Sequence, residues 1–508
     1  MSSGQPEASL ADAAVVDVGS NSVRLVMYRL DGRAIWTVFN EKVLAGLGRG
    51  LSISGRLSTD GAATAMSALR RFRALIDGSR PRQVHAVATA AVRDAYDGRD
   101  FCRRVESETG LHLKVLTGGE EARYAALGVI AGAPNAEGIA GDLGGASLEL
   151  TQIAEGEPGR GVTLPLGPFA FGPNFDPNKV KSAVERELRA VPDGFHDRTL
   201  NAVGGAWRNL ALLHMRLADY PLGIIQHYEL SRSEALSVAR FVETQSSSSL
   251  AGIEGISRRR VDTLPHAAAV LEGLIEALGV QRVRLSAYGL REGLLFEAMS
   301  RDVRRQDPMV AGCAALGGRP GPAEAVGVAL EQWLATAFGR LEPLFGERDP
   351  ILLAAACRLA DFGAQLHPDH RADLVFEQVL RAPIAGIAHD ERVFLACAAF
   401  GRHTGSSIMP APHIVERLLA PELYLRARAL GAAVRLGCDI SGRSPDLLRR
   451  ARLDFPADEV TLQADAGWDS TLLGEPIAKR AATLANLLDR TPRIMPATSQ
   501  VEIKTAVG

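Results

Sequence analysis

Short apolar runs alternate with longer segments of helical spacing through the first 300 residues. Consecutive or alternating apolar residues predict strands, and apolar residues that recur every three or four positions predict helices. Strands are predicted at 13–18, 23–30, the start of 85–95, and 147–153. Helices are predicted at 64–76 and 120–132. This alternation predicts an α/β architecture.

The spacing of apolar residues becomes helical throughout beyond about residue 305. Long helices are predicted at 325–345 and 350–366, and short strands return within 453–467. A Gly/Pro-rich stretch at 317–322 lies near the change and predicts a flexible connection. We therefore predict two α/β domains, a mostly helical domain and a small C-terminal domain, at residues 1–130, 131–305, 306–450 and 451–508.

Composition narrows the classes of function. Of 508 residues, 46% are hydrophobic and 23% are charged, as in soluble globular proteins. A net charge of −2 argues against a protein that coats nucleic acid. No apolar run approaches the roughly 20 residues of a membrane span, and the first twelve residues lack a signal-peptide pattern. The five cysteines are scattered without a C-x-x-C pair, so we expect a reduced, cytoplasmic protein without a cysteine zinc site.

An internal repeat is the most informative feature. The segments VVDVGSNSVRLV (15–26) and AGDLGGASLELT (140–151) align without gaps, 125 residues apart. The equivalent positions are Asp17 and Asp142, Gly19 and Gly144, and Ser22 and Ser147. In each copy a carboxylate ends an apolar strand, and a turn of small residues exposes backbone amides that suit phosphate oxygens. Two facing copies predict a clamp on a phosphate chain, with duplicated structural hairpins as the alternative.

Seven motifs in order carry a resemblance to a known family. They are DVGSNSVRLV (17–26), ATAAVRDA (88–95), TGGEEARYAALGV (117–129), GDLGGASLEL (141–150), LPLGPFAF (164–171), AVGGAWRNLA (202–211) and AYGLREGLLFE (287–297). Over nearly its whole length the chain resembles the exopolyphosphatase and guanosine pentaphosphate phosphohydrolase family. The resemblance implies two ribonuclease-H-like (actin-like) domains around a cleft, then a helical HD-like domain and a small C-terminal domain. It also implies Mg²⁺-dependent release of terminal phosphate, with other divalent cations and K⁺ left open, and a homodimer.

The resemblance carries catalytic roles onto matching residues. Glu121 is the expected base, although spacing alone leaves Glu120 as a competitor. Arg93 and Arg24 are the matching cations, whose guanidinium groups can bridge two phosphate oxygens. Mg²⁺ is expected on Asp142 and Glu149, directly or through water, with Asp17 helping from the opposite lobe. Substrate contacts are expected from Asp17, Ser20, Asn21, Ser22, Arg24, Gly144, Gly145, Ala146 and Ser147.

Two departures from the family pattern stand out. The second turn has Ala146 and Leu148 where the family has glycine and threonine, so the grip on substrate is expected to differ in detail. In the helical half, Ala360 precedes Asp361 where the family's HD-like domain has a histidine. We therefore expect this domain to be degenerate and non-catalytic, and we expect the polar run 367–370 to be a loop.

For several other residues a structural role is expected, or is weighed against a role in ligand binding. The Gly204–Gly205 turn is expected to be structural, and Arg291 with Glu292 to form either a hinge or interlobe ion pair, or a ligand contact. Ala125, Gly128 and Gly132 give the helix of Glu121 a small face for close packing. Arginines other than the matching ones are expected to be solvated. The cluster near the last domain is either a polyanion track or a solvated face; it comprises Arg426, Arg428, Arg435, Arg443, Arg449, Arg450 and Arg452.

The leading functional prediction is an exopolyphosphatase that removes terminal phosphate from inorganic polyphosphate. Hydrolysis of guanosine pentaphosphate is the alternative within the same chemistry. The duplicated turns alone also allow an ATP-dependent sugar or acid kinase, or an actin-like regulator that binds nucleotide without turnover. No nucleic acid or membrane partner is expected.

Overall fold

The computed structural model describes residues 11–171, 175–191, 195, 197–253, 258–318 and 321–495. The chain divides into two compact units, Met1–Pro308 and Met309–Gly508. No helix in the described part is long and apolar enough to cross a membrane, and none of the five cysteines forms a disulfide. The finer division into four domains stays a prediction, and part of the predicted connection at 317–322 lies outside the described residues.

The first unit contains two sheets of closely similar topology. The first sheet has the order β3-β2-β1-β4-β5. Its strands are β1 (Ala13–Val18), β2 (Val23–Asp31), β3 (Ala34–Val43), β4 (Gln83–Ala88) and β5 (Lys114–Val115). The first three strands pair antiparallel, while β4 lies parallel to β1 and β5 lies parallel to β4.

The second sheet repeats this arrangement and adds one strand. Its order is β10-β11-β9-β6-β7-β8. Its strands are β6 (Gly138–Leu143), β7 (Leu148–Ala154), β8 (Glu157–Leu164), β9 (Thr199–Val203), β10 (Glu229–Ser231) and β11 (Arg282–Leu285). Here β6, β7 and β8 pair antiparallel, and β9 and β11 continue parallel to β6. The predicted strands and the α/β class of this half are confirmed.

Helices cover these sheets. They are α1 (Leu51–Ser54), α2 (Thr59–Ser79), α3 (Ala90–Asp94), α4 (Gly98–Thr109), α5 (Gly118–Gly132), α6 (Pro177–Arg189), α7 (Gly205–Leu217), α8 (Arg232–Thr244), α9 (Ser247–Ala251), α10 (Leu264–Leu278), α11 (Leu290–Ala298) and α12 (Arg301–Arg305). A hydrophobic core made by residues of both sheets includes apolar side chains of α5 and α11. These two helices therefore form a layer shared by the two lobes.

Small residues let α5 and α11 approach closely. A Cβ added to Gly128 would lie 2.1 Å from the carbonyl oxygen of Gly289, and one added to Gly293 would lie 1.9 Å from that of Tyr124. A Cβ on Gly132 would lie 3.2 Å from the Tyr288 ring. The small face predicted for the helix of Glu121 therefore packs against another backbone, as expected.

The second unit is mostly helical with one small sheet. Its helices are α13 (Pro308–Gly317), α14 (Pro322–Phe338), α15 (Asp349–Arg358), α16 (Arg371–Arg381), α17 (His389–His403), α18 (Pro412–Leu418), α19 (Pro421–Ser441), α20 (Pro445–Leu448), α21 (Asp469–Leu472) and α22 (Glu475–Leu487). The sheet has the order β12-β13-β14, from β12 (Ala451–Asp454), β13 (Glu459–Ala464) and β14 (Thr491–Met495). The resemblance to a degenerate HD-like domain stays a prediction.

Two helix predictions in this unit were too long. The segment 325–345 is helical only to Phe338, and Gly339 is the C-cap residue of α14. The segment 350–366 is helical only to Arg358, and a series of turns follows. Gly363 has a φ of +82°, a left-handed conformation that a continuous helix excludes. Apolar spacing continues past α15 because Leu359 and Ala360 in the turns are also buried, whereas Leu341, Leu344 and Phe345 after α14 are only partly buried.

Candidate active site

The two repeated turns have the same backbone construction. In the first, Asp17 pairs with Arg24 across β1 and β2, and the Gly19 amide donates to the Ser22 carbonyl at 3.0 Å. The second sheet reproduces this pairing 125 residues later. Asp142 pairs with Glu149 across β6 and β7, and the equivalent turn hydrogen bond runs from the Gly144 amide to the Ser147 carbonyl at 2.9 Å. Arg24 and Glu149 therefore occupy equivalent positions with opposite charge.

Strand alternation brings the two aspartates together. Ala13 and Val15 point into the shared core between the sheets, so Asp17 at the end of β1 lies on the same face. Ala140 points into that core from β6, and Asp142 continues its face. Both carboxylates therefore end up at the layer that separates the two lobes.

A cavity of about 540 Å³ opens between the two turns. It gathers most of the predicted site, namely Asp17, Ser20, Asn21, Ser22, Arg24, Glu121, Asp142, Gly144, Gly145 and Ser147. Arg93, Ala146 and Glu149 do not line it. The duplicated turns therefore face one common space, as the repeat predicts.

Glu120 and Glu121 have different surroundings. Glu120 completes a capping box at the start of α5, where its carboxylate accepts from the Thr117 amide at 2.9 Å and forms an ion pair with Lys114. The Lys114 and Thr117 hydrogen bonds lower the pKa of Glu120 to about 2. Glu121 faces the cavity with 12% of its side chain exposed. Burial, together with repulsion from Asp142 and Asp17, raises its pKa to about 7 despite Arg93.

Arg93 holds Glu121 rather than lining the cavity. Its Nη1 donates to Glu121 Oε2 at 3.0 Å and to the Leu116 carbonyl at 3.2 Å, and its Nε donates to Asp94 at 3.0 Å. These protein acceptors engage the guanidinium group that we expected to bridge phosphate oxygens. The structure thus places Arg93 behind the candidate base, where it orients that carboxylate.

Asp142 at the end of β6 and Glu149 at the start of β7 lie beside each other. Burial raises the pKa of Asp142 to about 6, and Arg291 opposes this rise. Glu149 is only 2% exposed, and burial and the Glu121 charge raise its pKa well above the usual range. Its buried Oε1 has no hydrogen-bond partner. Two desolvated carboxylates with an unsatisfied oxygen are suited to a nearby cation.

No group of three His, Cys, Asp or Glu side chains in the described ranges is arranged to hold a metal ion with protein ligands alone. Mg²⁺ retains several waters and commonly takes one or two carboxylates plus substrate phosphates. The donor set at the cavity, with Asp142 on its wall and Glu149 behind it, fits that kind of ion. It does not resemble a closed structural metal site.

The second turn tolerates its two departures. Ala146 is absent from the non-glycine residues with positive φ, so its side chain causes no backbone strain. Its carbonyl accepts from the Gly167 amide at 3.1 Å, which fixes the turn against residues 166–168. Leu148 is fully buried in the core of the second lobe. The missing hydroxyl therefore removes a polar group from a position that faces the core.

An ion pair connects the lobes beside the cavity. Arg291 at the start of α11 donates from Nη1 to Asp17 Oδ2 at 2.9 Å. Next to it, Glu292 accepts from the Tyr28 hydroxyl at 2.7 Å and from the Gly289 amide at 2.9 Å. Of the two expectations for Arg291, the structure shows the interlobe ion pair, and Arg291 also lines the cavity.

Sequence reasoning missed several residues of the cavity wall. They are Lys42, Thr89, Phe169, Arg208 and Asn209. Arg208 departs from the expectation that other arginines are solvated on the surface, because it lies on the cavity wall, where partial burial lowers its pKa. The feature of the sequence that could have identified Arg208 is its place in the motif AVGGAWRNLA, three residues after Gly205. The Gly204–Gly205 turn also lines the cavity, and a Cβ on Gly204 would lie 3.3 Å from Asp142 Oδ1.

Comparison with known proteins identifies the family. The family model described as Ppx/GppA phosphatase family matches residues 26–302, and that described as exopolyphosphatase, C-terminal, matches residues 331–494. Exopolyphosphatase 1 of Mycobacterium tuberculosis is 27% identical over 305 residues, covering 57% of this chain and 88% of that protein. Exopolyphosphatase 1 of Mycobacterium leprae is 28% identical over 307 residues, covering 57% and 89%.

A solved structure has a similar fold. The exopolyphosphatase of Cytophaga hutchinsonii superposes with a TM-score of 0.52 at 22% identity, covering 56% of this chain and 97% of that one. This likeness supports the two actin-like lobes seen here. The chain therefore belongs to the Ppx/GppA phosphatase family, a family of hydrolases that act on phosphoanhydride bonds.

Proposed function

We propose that this protein is an exopolyphosphatase that hydrolyses the terminal phosphoanhydride bond of inorganic polyphosphate with Mg²⁺. The main support for the proposal is the position of Glu121, whose desolvated carboxylate lies on the wall of a cavity between two amide-rich turns. The relatives named exopolyphosphatase 1 and the match to the exopolyphosphatase C-terminal model support polyphosphate as the substrate class.

Glu121 has the properties of a general base. A pKa of about 7 matches the working pH of a neutral compartment, where proton transfer from an attacking water is most effective. Arg93 fixes one carboxylate oxygen through its 3.0 Å hydrogen bond and leaves the other to receive the proton. A water between Glu121 and the terminal phosphorus is then oriented for in-line attack.

Fixed positive groups surround the position of the phosphate chain. Both turns present backbone amides, and Arg24, Arg208 and Lys42 contribute cationic side chains to the cavity wall. The helices α7 and α11 also begin at the cavity, with Gly205 and Leu290 on its wall. Helix N-termini favour anions. These groups stabilise the charge that develops on the transferred phosphoryl group and on the leaving phosphate.

Asp142 is our proposed direct ligand for Mg²⁺, with Glu149 acting through water and Asp17 assisting from the first lobe. The bound ion would neutralise phosphate oxygens during hydrolysis. We also propose a cytoplasmic homodimer in which other divalent cations or K⁺ can support the reaction.

Guanosine pentaphosphate is a second candidate substrate. The cavity extends past the turns to a wall that carries Asn209, Leu212, Thr263 and Ala267. Apolar side chains beside amide and hydroxyl groups suit the face and edges of a nucleobase. A linear polyphosphate has no group that would use such a wall.

Phosphate release from long-chain polyphosphate and from guanosine pentaphosphate, measured side by side with Mg²⁺, tests the proposal. We expect turnover of polyphosphate with the higher kcat/KM. Leu212→Arg and Ala267→Asp should reduce guanosine pentaphosphate turnover more than tripolyphosphate turnover if the nucleoside uses this wall. Phosphoryl transfer from ATP to a sugar without net phosphate release would identify a kinase, and nucleotide-dependent assembly without turnover would identify a regulator.

A further inference from the structure

Arginines from several helices meet around two aspartates in the second unit. Arg443 donates to Asp361 Oδ1 at 2.9 Å, and Arg480 donates to Asp439 Oδ2 at 2.9 Å. Asp361 lies in the turn after α15, and Arg443 lies just after α19. Asp439 belongs to α19 and Arg480 to α22. Two of the arginines are therefore neutralised by the two carboxylates.

Two further guanidinium groups in the same cluster have little compensation. Arg402, near the end of α17, donates to the Ala360 carbonyl at 3.2 Å, and no carboxylate of the described residues lies within 4.0 Å of it. Arg435 approaches Asp439 Oδ2 only at 4.0 Å, and this same oxygen already accepts from Arg480. The side chain of Arg435 is only 21% exposed.

The neighbouring charges agree with an excess of positive charge. Burial lowers the pKa of Arg435, repulsion from Arg480 and Arg402 adds to this, and Asp439 opposes it. Burial and the charge of Arg402, with smaller contributions from Arg371 and Arg435, lower the pKa of His403 to about 4. His403 is therefore neutral at pH 7 and its Nε2 donates to the Phe362 carbonyl at 3.0 Å. Four arginines around two aspartates thus leave the cluster with two positive charges in excess.

The neighbouring loop has groups that suit an oxyanion. Thr404, Gly405, Ser406 and Ser407 follow α17, and the last three are exposed. A Cβ on Gly405 would lie 3.9 Å from Arg435 Nη1, so this backbone is close to the guanidinium group. The Thr404 amide already donates to the Phe400 carbonyl at 3.2 Å and the Ser406 amide to Thr404 Oγ1 at 3.1 Å, so the loop offers its hydroxyls and the amides of Gly405 and Ser407. Hydroxyl and amide donors beside two arginines are groups that recognise phosphate.

We propose that Arg402 and Arg435, with the 404–407 loop, bind a phosphate group at a second site distinct from the cavity of Glu121. The two excess positive charges of the cluster match a phosphate dianion, and the guanidinium groups supply several donors to its oxygens. The ligand is either free orthophosphate or the terminal phosphoryl group of a longer chain. This site does not depend on the proposed function, because every residue in it belongs to the second unit.

Equilibrium dialysis of the full-length protein with radiolabelled orthophosphate tests the site. We expect Arg402→Gln/Arg435→Gln to lose one class of sites, with an affinity loss of at least about tenfold. Arg435→Gln alone should show most of this loss, and it preserves the Arg402 hydrogen bond to Ala360 should the double variant unfold. Arg381→Gln is the matched control, because that exposed arginine already pairs with Glu377.

Turnover of tripolyphosphate should be unchanged in these variants, since neither arginine lines the catalytic cavity. If tripolyphosphate displaces the label from this site more strongly than orthophosphate does, the ligand is the terminal phosphoryl group of a chain. If orthophosphate displaces it more strongly, the ligand is the free ion. Wild-type stoichiometry and affinity in a folded Arg435→Gln protein, or an equal loss in Arg381→Gln, would overturn the proposal.

Discussion

Arg291 Nη1 lies 2.9 Å from Asp17 Oδ2, and this hydrogen bond joins residues 274 positions apart in the chain. Asp17 ends the first strand of one lobe, and Arg291 begins the helix that follows the last strand of the other. Each side chain is 20% exposed, and the bond is on the cavity wall. The pair therefore links the position of a substrate-facing carboxylate to the packing between lobes.

We predict that Arg291→Gln lowers the free energy of unfolding by about 1.5–3 kcal/mol, the usual contribution of a charged hydrogen bond. Asp17→Asn should cost a similar amount. Because both variants remove one interaction, the double variant should cost less than the sum of the two. Urea unfolding of all four proteins measures this coupling. Additive losses would show that the two residues act independently.

The close contact between α5 and α11 gives a second stability prediction. Alanine at Gly128 adds a Cβ 2.1 Å from the Gly289 carbonyl oxygen, so we expect a loss of about 1–3 kcal/mol. Gly78 in α2 has open space at its Cβ position. Gly78→Ala should therefore stabilise the protein by up to about 1 kcal/mol through helix propensity. Thermal unfolding of both variants distinguishes packing from propensity, and a stabilised Gly128→Ala protein would contradict the contact.

Local patterns predicted the strands and the paired turns because strand alternation and turn chemistry are encoded within a dozen residues. The choice between Glu120 and Glu121 needed the structure. Both glutamates suit a helix start, and only the capping box with Thr117 shows which of them is engaged there. The role of Arg93 also depended on contacts 23 and 28 residues away. Arg208 was missed because the cavity wall that it joins is assembled from segments far apart in the sequence.

The arginine-rich region near the last domain illustrates the same limit. In sequence it is one cluster, yet Arg449 pairs with Asp446 and Arg450 with Asp465, and both are exposed. This favours the solvated-face interpretation for that part. Arg435 instead joins Arg402, which lies 33 positions earlier and was not in the predicted cluster. Spacing along the chain did not reveal that Arg435 shares its carboxylate with Arg480, or that Arg402 lies beside it.

Metal dependence should follow from Asp142. We predict that Asp142→Asn reduces phosphate release and raises the Mg²⁺ concentration needed for half-maximal rate, because one anionic ligand is lost. Asp31→Asn is the control, since that exposed carboxylate pairs with Arg29 away from the cavity. A Mg²⁺ titration of each protein provides the measurement. Wild-type Mg²⁺ dependence in Asp142→Asn would contradict the ligand assignment.

The raised carboxylate pKa values predict how the stability of the metal-free protein depends on pH. Glu121 and Asp142 have folded-state pKa values of about 7 and 6, above their ordinary values. The folded protein therefore binds these protons more tightly than the unfolded chain. The stabilisation that the protonated forms of Glu121 and Asp142 give to the folded state is complete near pH 4. It is lost as the pH rises through about 6 and 7.

Without Mg²⁺, the contribution of these carboxylates to the free energy of unfolding should fall by about 1–3 kcal/mol between pH 5 and 7.5. Mg²⁺ should raise the melting temperature more at pH 7.5 than at pH 5, because it binds the ionised carboxylates. Thermal melts with EDTA or Mg²⁺ measure both effects. Glu149→Gln should flatten the pH dependence, and an unchanged slope in that variant would contradict the coupling among these groups.

Glu121 is the proposed base that activates water. Glu121→Gln preserves size and most hydrogen bonding, including that from Arg93, but removes the proton acceptor. Steady-state phosphate release from long-chain polyphosphate, with binding measured separately, tests this most directly, and Glu120→Gln is the matched control. We predict that kcat falls about 10²–10⁴-fold in Glu121→Gln with nearly unchanged polyphosphate binding, while Glu120→Gln retains activity. An active Glu121→Gln protein beside an inactive, folded Glu120→Gln protein would contradict the account.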